Sequence, residues 1–521
     1  ILWRIVRFSF KKSALDNVPG PSPQSIWTGN FMALFDPKGW AFHSHIAHTY
    51  GGVVRIDGPM RLKILYVFDP LALHHIIVKD QPIYARNGTD LLVSKFMFGE
   101  GLLSVGSGAQ HRKQRKMLNP VFNNVHLRRL APVFYAVAHK VWCSAFFSIS
   151  NAECMSASCR TDEQKLIGQG GLGYPFDNLA DDPGQSAHPY SGAISGIHPL
   201  IMQLSLAFRF ILPWAGKIWS ARFQRAVVDW VPWKAVHDFR DIVDIMDYTT
   251  RQIFDAKKSA LSSGEAKSDG GKDIMGILST YVASPPHHSA SFLFNQIRTL
   301  IFAASETTTT TLARILYLLA RNPDWQDRLR AALAEAQPKD GADIPYDQLM
   351  QLPVLDAVCR ETLRLHPPSP FNAVLPLATP LCGRDDTAIH AIHVPRGTDL
   401  MLSIQSANCA TSIWGPGAAE WKPARWLEPL PESVIGAPGT GVYQHLFTFG
   451  GGPRACIGFK FSQSKLSTKF CAFVVLAVVL SAFRVSLPQK EIVWNLGFIV
   501  QPSVEGSGDT QLPLILTQLK R

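Results

Sequence analysis

Residues 292–321 contain neither proline nor glycine and are largely apolar. They predict one unbroken helix, about 45 Å long at roughly 1.5 Å per residue. Two β-rich runs, 52–58 and 62–68, flank a short turn and predict a hairpin. Asp69-Pro70 then supplies a capping carboxylate and a first-turn proline, so a helix is expected from there to about residue 79. Further helices are expected from His111, over 241–261, and over 356–365, the last stopping before Pro367-Pro368. Residues 457–483 are mostly apolar and read as a helix. Its most apolar part, 470–480, is too short to cross a bilayer and reads as buried. Residues 197–233 are apolar and aromatic-rich, broken at Pro213 and Pro232, and 264–272 is a polar loop. Between 142 and 165 no amphipathic period is clear.

Composition narrows the picture. A chain of 521 residues, 46% of them apolar, can bury a large core in one large domain or in two or three average ones. The eight cysteines are scattered and show no zinc-finger spacing, which suits a reducing compartment with one functional cysteine. The net charge of +11 suits nucleic acid, a membrane surface or an acidic protein. With no nucleic-acid motif and no long Lys/Arg run, nucleic acid drops out. Residues 1–12 are apolar, aromatic and basic, too short and too charged to span a bilayer. We read 1–18 as the remnant of an N-terminal membrane-anchor region. Residues 168–173 match G-x-G-x-x-G, but no strand clearly precedes them, so they read as a helix end or tight packing. Asn87-Gly88-Thr89 fits a glycosylation sequon, unmodified if the domain faces the cytosol.

The densest chemistry lies in 447–460. Cys456 sits in a turn rich in glycine, directly before the apolar helix. The N–H groups and positive dipole end of that helix favour a thiolate. Gly450, Gly451 and Gly452 allow a sharp turn and close approach to something flat, and Arg454 is suited to an anionic group. These are the needs of a thiolate on haem iron beside a propionate. A second unusual stretch lies in the long central helix, where Glu306 precedes five threonines, 307–311. Threonines are poor helix formers, but their hydroxyls can bond the carbonyl one turn back, bend the helix and open a groove. In 356–365, Glu361 and Arg364 stand three apart and can pair on one helix face.

Phe449, Gly452, Arg454, Cys456 and Gly458 fill the pattern Phe-x-x-Gly-x-Arg-x-Cys-x-Gly without a mismatch. The stretch resembles the haem-binding loop of the cytochrome P450 family, the haem-thiolate monooxygenases. The resemblance runs from about Pro19 to the C-terminus. It implies a mainly α fold with a small β-rich lobe, a single large catalytic domain over 19–521, and haem b held between two helices. Cys456 would be the axial iron ligand, with Phe449, Gly450 and Gly458 shaping the loop. Arg454, His111 and Arg115 would hold the propionates.

Ala303, Glu306, Thr307 and Thr308 match the family's Ala-Gly-x-Glu-Thr-Thr, with Ala304 in the glycine's place. By resemblance Thr307 steadies dioxygen and helps deliver protons, and Glu306 feeds that relay. Glu361, Arg364 and Arg425 match the buried charge network beneath the haem, with Ala424 where Glu is usual. Two departures stand out: Pro376 occupies the place of a propionate-binding arginine, and Cys409 that of an Arg or Lys. Pro19-Gly20-Pro21-Ser22-Pro23 resembles the hinge after a membrane anchor, and 86–98 a mobile loop lining the substrate pocket. Pro-Gly-Pro and 114–122 resemble fungal microsomal members, which implies the endoplasmic reticulum membrane with the domain facing the cytosol.

No flavin or nicotinamide site is apparent, so the family pattern implies an NADPH–cytochrome P450 reductase docking near Arg112, Lys113 and Lys116. A pocket lined from 292–304 and by Phe371 implies a lipophilic substrate of fungal secondary metabolism. The alternatives are a haem-thiolate isomerase or dehydratase that needs no external electrons, and an inactive haem-binding relic. Glu306-Thr307 argues against the isomerase.

Overall fold

The structure, a computed structural model, describes residues 15–81, 84, 86, 88–122, 124–148, 189–218, 220–262, 290–372, 381–382, 388–389, 392, 394–395, 398–439, 445–460 and 468–519. The expectations placed on Asn87, on 1–12, 149–165, 168–173 and 264–272, and on Pro376 lie outside these residues. The chain divides into two compact units, each assembled from separate segments. One comprises 1–85, 360–456 and 494–501; the other comprises 86–359, 457–493 and 502–521.

The first unit holds the expected hairpin. Strands β1 (Val53–Asp57) and β2 (Lys63–Val67) pair antiparallel, Val53 opposite Val67. β2 then pairs parallel with β4 (Asp399–Ser403), and β4 antiparallel with β3 (Phe371–Asn372), giving the order β1-β2-β4-β3. Strand side chains alternate between faces, so one sheet can feed two cores. Val53, Leu65, Val67 and Leu402 pack with Leu73, Ile76, Ile77 and Phe447. Val54, Ile56 and Tyr66 pack with Leu34 and Ile46. The cap at Asp69 forms as expected: Ala72 N–H donates to its Oδ1 at 2.8 Å. The helix it opens, Pro70–His74, continues as a π-turn over His75–Lys79.

Behind this sheet His43 is buried and neutral. Its Nε2–H donates to the Leu34 carbonyl at 3.0 Å, and the Tyr66 hydroxyl donates to its Nδ1 at 2.9 Å. Burial pushes the imidazole down from 6.5 to about 4. The folded state therefore resists a proton that the unfolded chain accepts. Stability is full above pH 6.5, falls as the pH drops from 6.5 to about 4, and loses nothing further to this group below that. The loss amounts to about 3 kcal/mol. Urea denaturation midpoints measured across that window should show this slope, and His43→Gln should flatten it.

The second unit is helical. Its central helix, Ala290–Arg321, begins two residues before the predicted start. Leu293, Ile297, Leu300 and Ile301 bury its apolar face against Tyr190, Ile194 and Ile197 of helix Pro189–Gln203. Ile242, Met246 and Ile253 of helix Lys234–Ser262 join the same core. Helix Thr468–Ala482 is apolar on every side, and its residues 472–480 are all buried, as expected of an inner helix. Among the described residues no helix is long and apolar enough to cross a membrane.

One element differs from expectation. Residues 88–98, expected in a mobile loop, form the helix Gly88–Phe98. Asp90 lies in its first turn, and Met97 and Phe98 join the core around Leu293 and Phe302, so burial supports the helix. The C-terminal apolar helix ends at Ala482, within one residue of its expected end, where Phe483–Ser486 becomes a strand paired with Ile515–Gln518. There Phe483 and Val485 are buried and Arg484 exposed, the period of two that a strand requires. The break expected at Pro213 is present: helix Ser205–Phe210 ends just before it, and Pro213 lies in the first turn of the next helix, Leu212–Ile218, where a missing N–H costs nothing.

Candidate functional site

In the first unit the turn at Cys456 is shaped by its glycines. Gly450 and Gly452 have φ of +64° and +57°, a region that favours glycine. A Cβ at Gly452 would lie 2.6 Å from the Ile77 carbonyl oxygen, so no larger residue fits. Gly450 N–H donates to Phe447 O at 2.9 Å, and Cys456 N–H donates to Phe449 O at 2.8 Å, closing the loop. Pro453 and Arg454 form a short 3₁₀ turn over Gly452–Arg454. Cys456 is exposed, is in no disulfide, and directly precedes the helical turn Ile457–Lys460, which contains Gly458. The loop therefore offers one accessible thiol at the start of a helix, with Phe449, Gly450 and Arg454 in the same few residues.

Elsewhere in this unit Glu361 and Arg364 meet as their spacing predicts, and Arg425 joins them as the resemblance implies. Glu361 Oε1 accepts from Arg364 Nη2, Arg425 Nε and Lys422 N, each at 2.9 Å. Its Oε2 accepts from Arg364 Nε at 2.9 Å and Trp426 Nε1 at 3.0 Å. The Glu361 and Arg364 side chains are both 0% exposed. Arg364 spends its other N–H groups on the carbonyls of Asn408 at 3.1 Å, Ala418 at 2.6 Å and Glu420 at 3.2 Å. Burial by itself would raise the Glu361 carboxyl; hydrogen bonding and charge from Arg364, with help from Lys422 N–H and Arg425, hold it below the usual carboxylate value.

Two residues that sequence reasoning missed tie this network to the cysteine loop. Asn408 Oδ1 accepts from Phe447 N at 2.8 Å, and its Nδ2 donates to Thr448 Oγ1 at 2.8 Å. The Thr448 hydroxyl donates to Leu363 O at 2.8 Å. A buried asparagine beside the start of the loop fixes the loop's direction through both ends of its amide. Next to it, burial pushes the Cys409 thiol up to about 11, so it stays protonated at neutral pH.

The second unit carries the other predicted residues. Thr307 Oγ1 donates to Ala303 O at 2.9 Å, Thr309 to Ser305 O at 2.8 Å and Thr311 to Thr307 O at 2.8 Å. These are the expected bonds one turn back, and they let a threonine-rich segment stay helical. Glu306 is buried, and its Oε2 lies 3.6 Å from Nε2 of His198, on helix Pro189–Gln203. His198 was not singled out in the sequence; its only signal was an imidazole inside an apolar run. On helix Ala109–Leu118, His111 and Arg115 are buried on one face, while Arg112, Lys113 and Lys116 are exposed.

The sequence profile of the family described as Cytochrome P450 matches residues 215–505. The chain is 42% identical over 541 residues to Cytochrome P450 monooxygenase 91 of Postia placenta, covering 100% of this chain and 97% of that relative. The chain belongs to the cytochrome P450 family. It is 36% identical to Ganoderic acid synthetase CYP5150L8 of Ganoderma lucidum, over 100% of this chain and 96% of the relative. It is 33% identical to the Hericium erinaceus cytochrome P450 monooxygenase eriI, over 97% and 94% of the two chains. The fold is the mainly helical P450 fold with small sheets, and the resemblance to fungal members holds. Enzymes of this family are haem-binding monooxygenases that take electrons from a redox partner, use dioxygen and act on small molecules.

Proposed function

We propose that the chain holds haem b through the Cys456 thiolate and inserts one oxygen atom of dioxygen into a lipophilic small molecule. Electrons would come from an NADPH–cytochrome P450 reductase. The observation that carries the reading is the accessible Cys456 thiol in a glycine-shaped loop, directly before a helix. That donor fits haem iron: a thiolate suits it, and a residue bulkier than glycine at 452 would disturb the loop. When bound, haem supplies the electron transfer and dioxygen activation.

The protein's residues do the rest. Cys456 would hold the haem iron through its thiolate and supply electron density to it, and the amide groups of the turn after it favour its anionic form. Phe449, Gly450 and Gly458 shape the loop to accept a flat ring system. Arg454, His111 and Arg115 bind the propionates by charge and hydrogen bonding. Glu361, Arg364 and Arg425, with Asn408 and Thr448, keep the segment behind the loop in one conformation. The Thr307 hydroxyl donates its proton to Ala303 O, which leaves its oxygen lone pairs as acceptors, and Glu306 passes protons towards it. The apolar residues of 292–304 keep water out and favour a lipophilic substrate.

The exposed Arg112, Lys113 and Lys116 form the docking face for an acidic reductase. The domain, into whose core Leu15 and Val18 also pack, would sit at the cytosolic face of the endoplasmic reticulum membrane. A relative named for ganoderic acid supports a role in secondary metabolism.

Full-length protein reconstituted with reductase should oxidise a panel of lipophilic metabolites only when NADPH is supplied. Product formed from an organic hydroperoxide equally well without NADPH and reductase would replace this reading with an isomerase or dehydratase.

A further inference from the structure

Helix Pro189–Gln203 packs against the central helix through Tyr190, Ile194 and Ile197. Between these apolar side chains stands His198. Its side chain and that of Glu306 are each 3% exposed, and Nε2 lies 3.6 Å from Oε2. The Phe302 ring lies 6.0 Å from the imidazole. Removing a carboxylate from water into such packing is costly unless a partner compensates it. Arg298 and Tyr190 belong to the same region. Arg298 is directed to Asp247, Nη1 to Oδ1 at 3.2 Å, and to the Val243 carbonyl at 2.9 Å. Tyr190 is pushed well above the usual phenol range by burial, is lowered by Arg298 and raised by Glu306, and so stays neutral.

We propose that His198 is the positioning residue of Glu306: it holds the carboxyl group inside this packing and compensates its charge as protons come and go. One proton shared by an imidazole and a carboxyl leaves a pair of zero net charge whichever partner carries it. The two groups can then exchange that proton without leaving a net charge in an apolar site, and a proton that Glu306 passes on has to be replaced before the pair is neutral again. The inference rests on the reading of Glu306 as the acid of a proton relay.

The test uses the haem-loaded full chain as wild type, His198→Gln, His198→Lys, Glu306→Gln and the double variant His198→Gln/Glu306→Gln. In the infrared difference spectrum of His198→Gln against wild type at neutral pH, a protonated-carboxyl band is expected. It is absent from the double variant and reduced in His198→Lys, whose ammonium restores the pairing. With reductase and NADPH, oxygen uptake should fall about tenfold in His198→Gln and no further in the double variant than in Glu306→Gln. Absence of the band, or independent and multiplicative losses in the double variant, overturns the proposal. If Glu306→Gln alone leaves oxygen uptake unchanged while the carbon-monoxide spectrum is intact, the relay reading fails. The infrared band then decides the pairing by itself.

Discussion

Cys456→Ser is expected to remove the thiolate signature from the carbon-monoxide difference spectrum of the reduced protein. NADPH-dependent turnover should fall about 10²-fold or more, because a hydroxyl is a poor iron ligand and cannot donate electron density as a thiolate does. The substitution is nearly isosteric. Cys456 is exposed, and its backbone N–H bond to Phe449 O survives, so the loop and the fold should be retained. Denaturation midpoints within error of wild type would separate lost ligation from lost folding. A thiolate spectrum that persists in Cys456→Ser would remove this residue from the site. Cys409→Ser serves as the control. Its thiol, raised to about 11, is not anionic at neutral pH, and neither spectrum nor turnover should change.

The second large effect lies in the charge network. Glu361→Gln is expected to destabilise the protein by about 3–5 kcal/mol, because it leaves Arg364 and Arg425 without the carboxylate between them. A glutamine still offers one oxygen, but it replaces the other with a donor facing Arg364, Trp426 or Lys422 N–H. Arg364, whose side chain is 0% exposed, cannot turn to water. Urea denaturation of the two proteins checks the size. The pH dependence checks the cause. Glu361 titrates below its ordinary value of 4.5 when folded, so its stabilisation is complete above pH 4.5 and is lost as the pH falls through the lower folded value. His43 loses its share between pH 6.5 and about 4. Acid destabilisation should therefore begin with His43 and finish with Glu361, and Glu361→Gln should flatten only the more acidic part.

The same contrast explains what could be read in advance. Cys456 and its glycines, the hairpin 53–67, the capped helix at Pro70 and the central helix are local features. Each rests on backbone freedom, side-chain alternation or the absence of helix breakers within a short segment. Glu361 and Arg364 were legible for the same reason, being three apart on one helix. Arg425 entered only through resemblance to a family pattern, since nothing local joins residues 64 positions apart.

Asn408, Thr448 and His198 were not legible as site residues. Each gains its role from a partner distant in the chain: Asn408 from Phe447 and Thr448, His198 from Glu306. Residues 88–98 differ for a related reason: the loop expected there came from the family resemblance, and only burial of Met97 and Phe98 decides for a helix. The sequence alone determined the glycine-shaped turn at Cys456, the central helix and the members of the buried charge pair. Only the tertiary structure decided which carbonyls absorb Arg364, what anchors the cysteine loop and which histidine faces Glu306. Those interactions are strong because water is excluded from them, and that exclusion is produced by the packed fold.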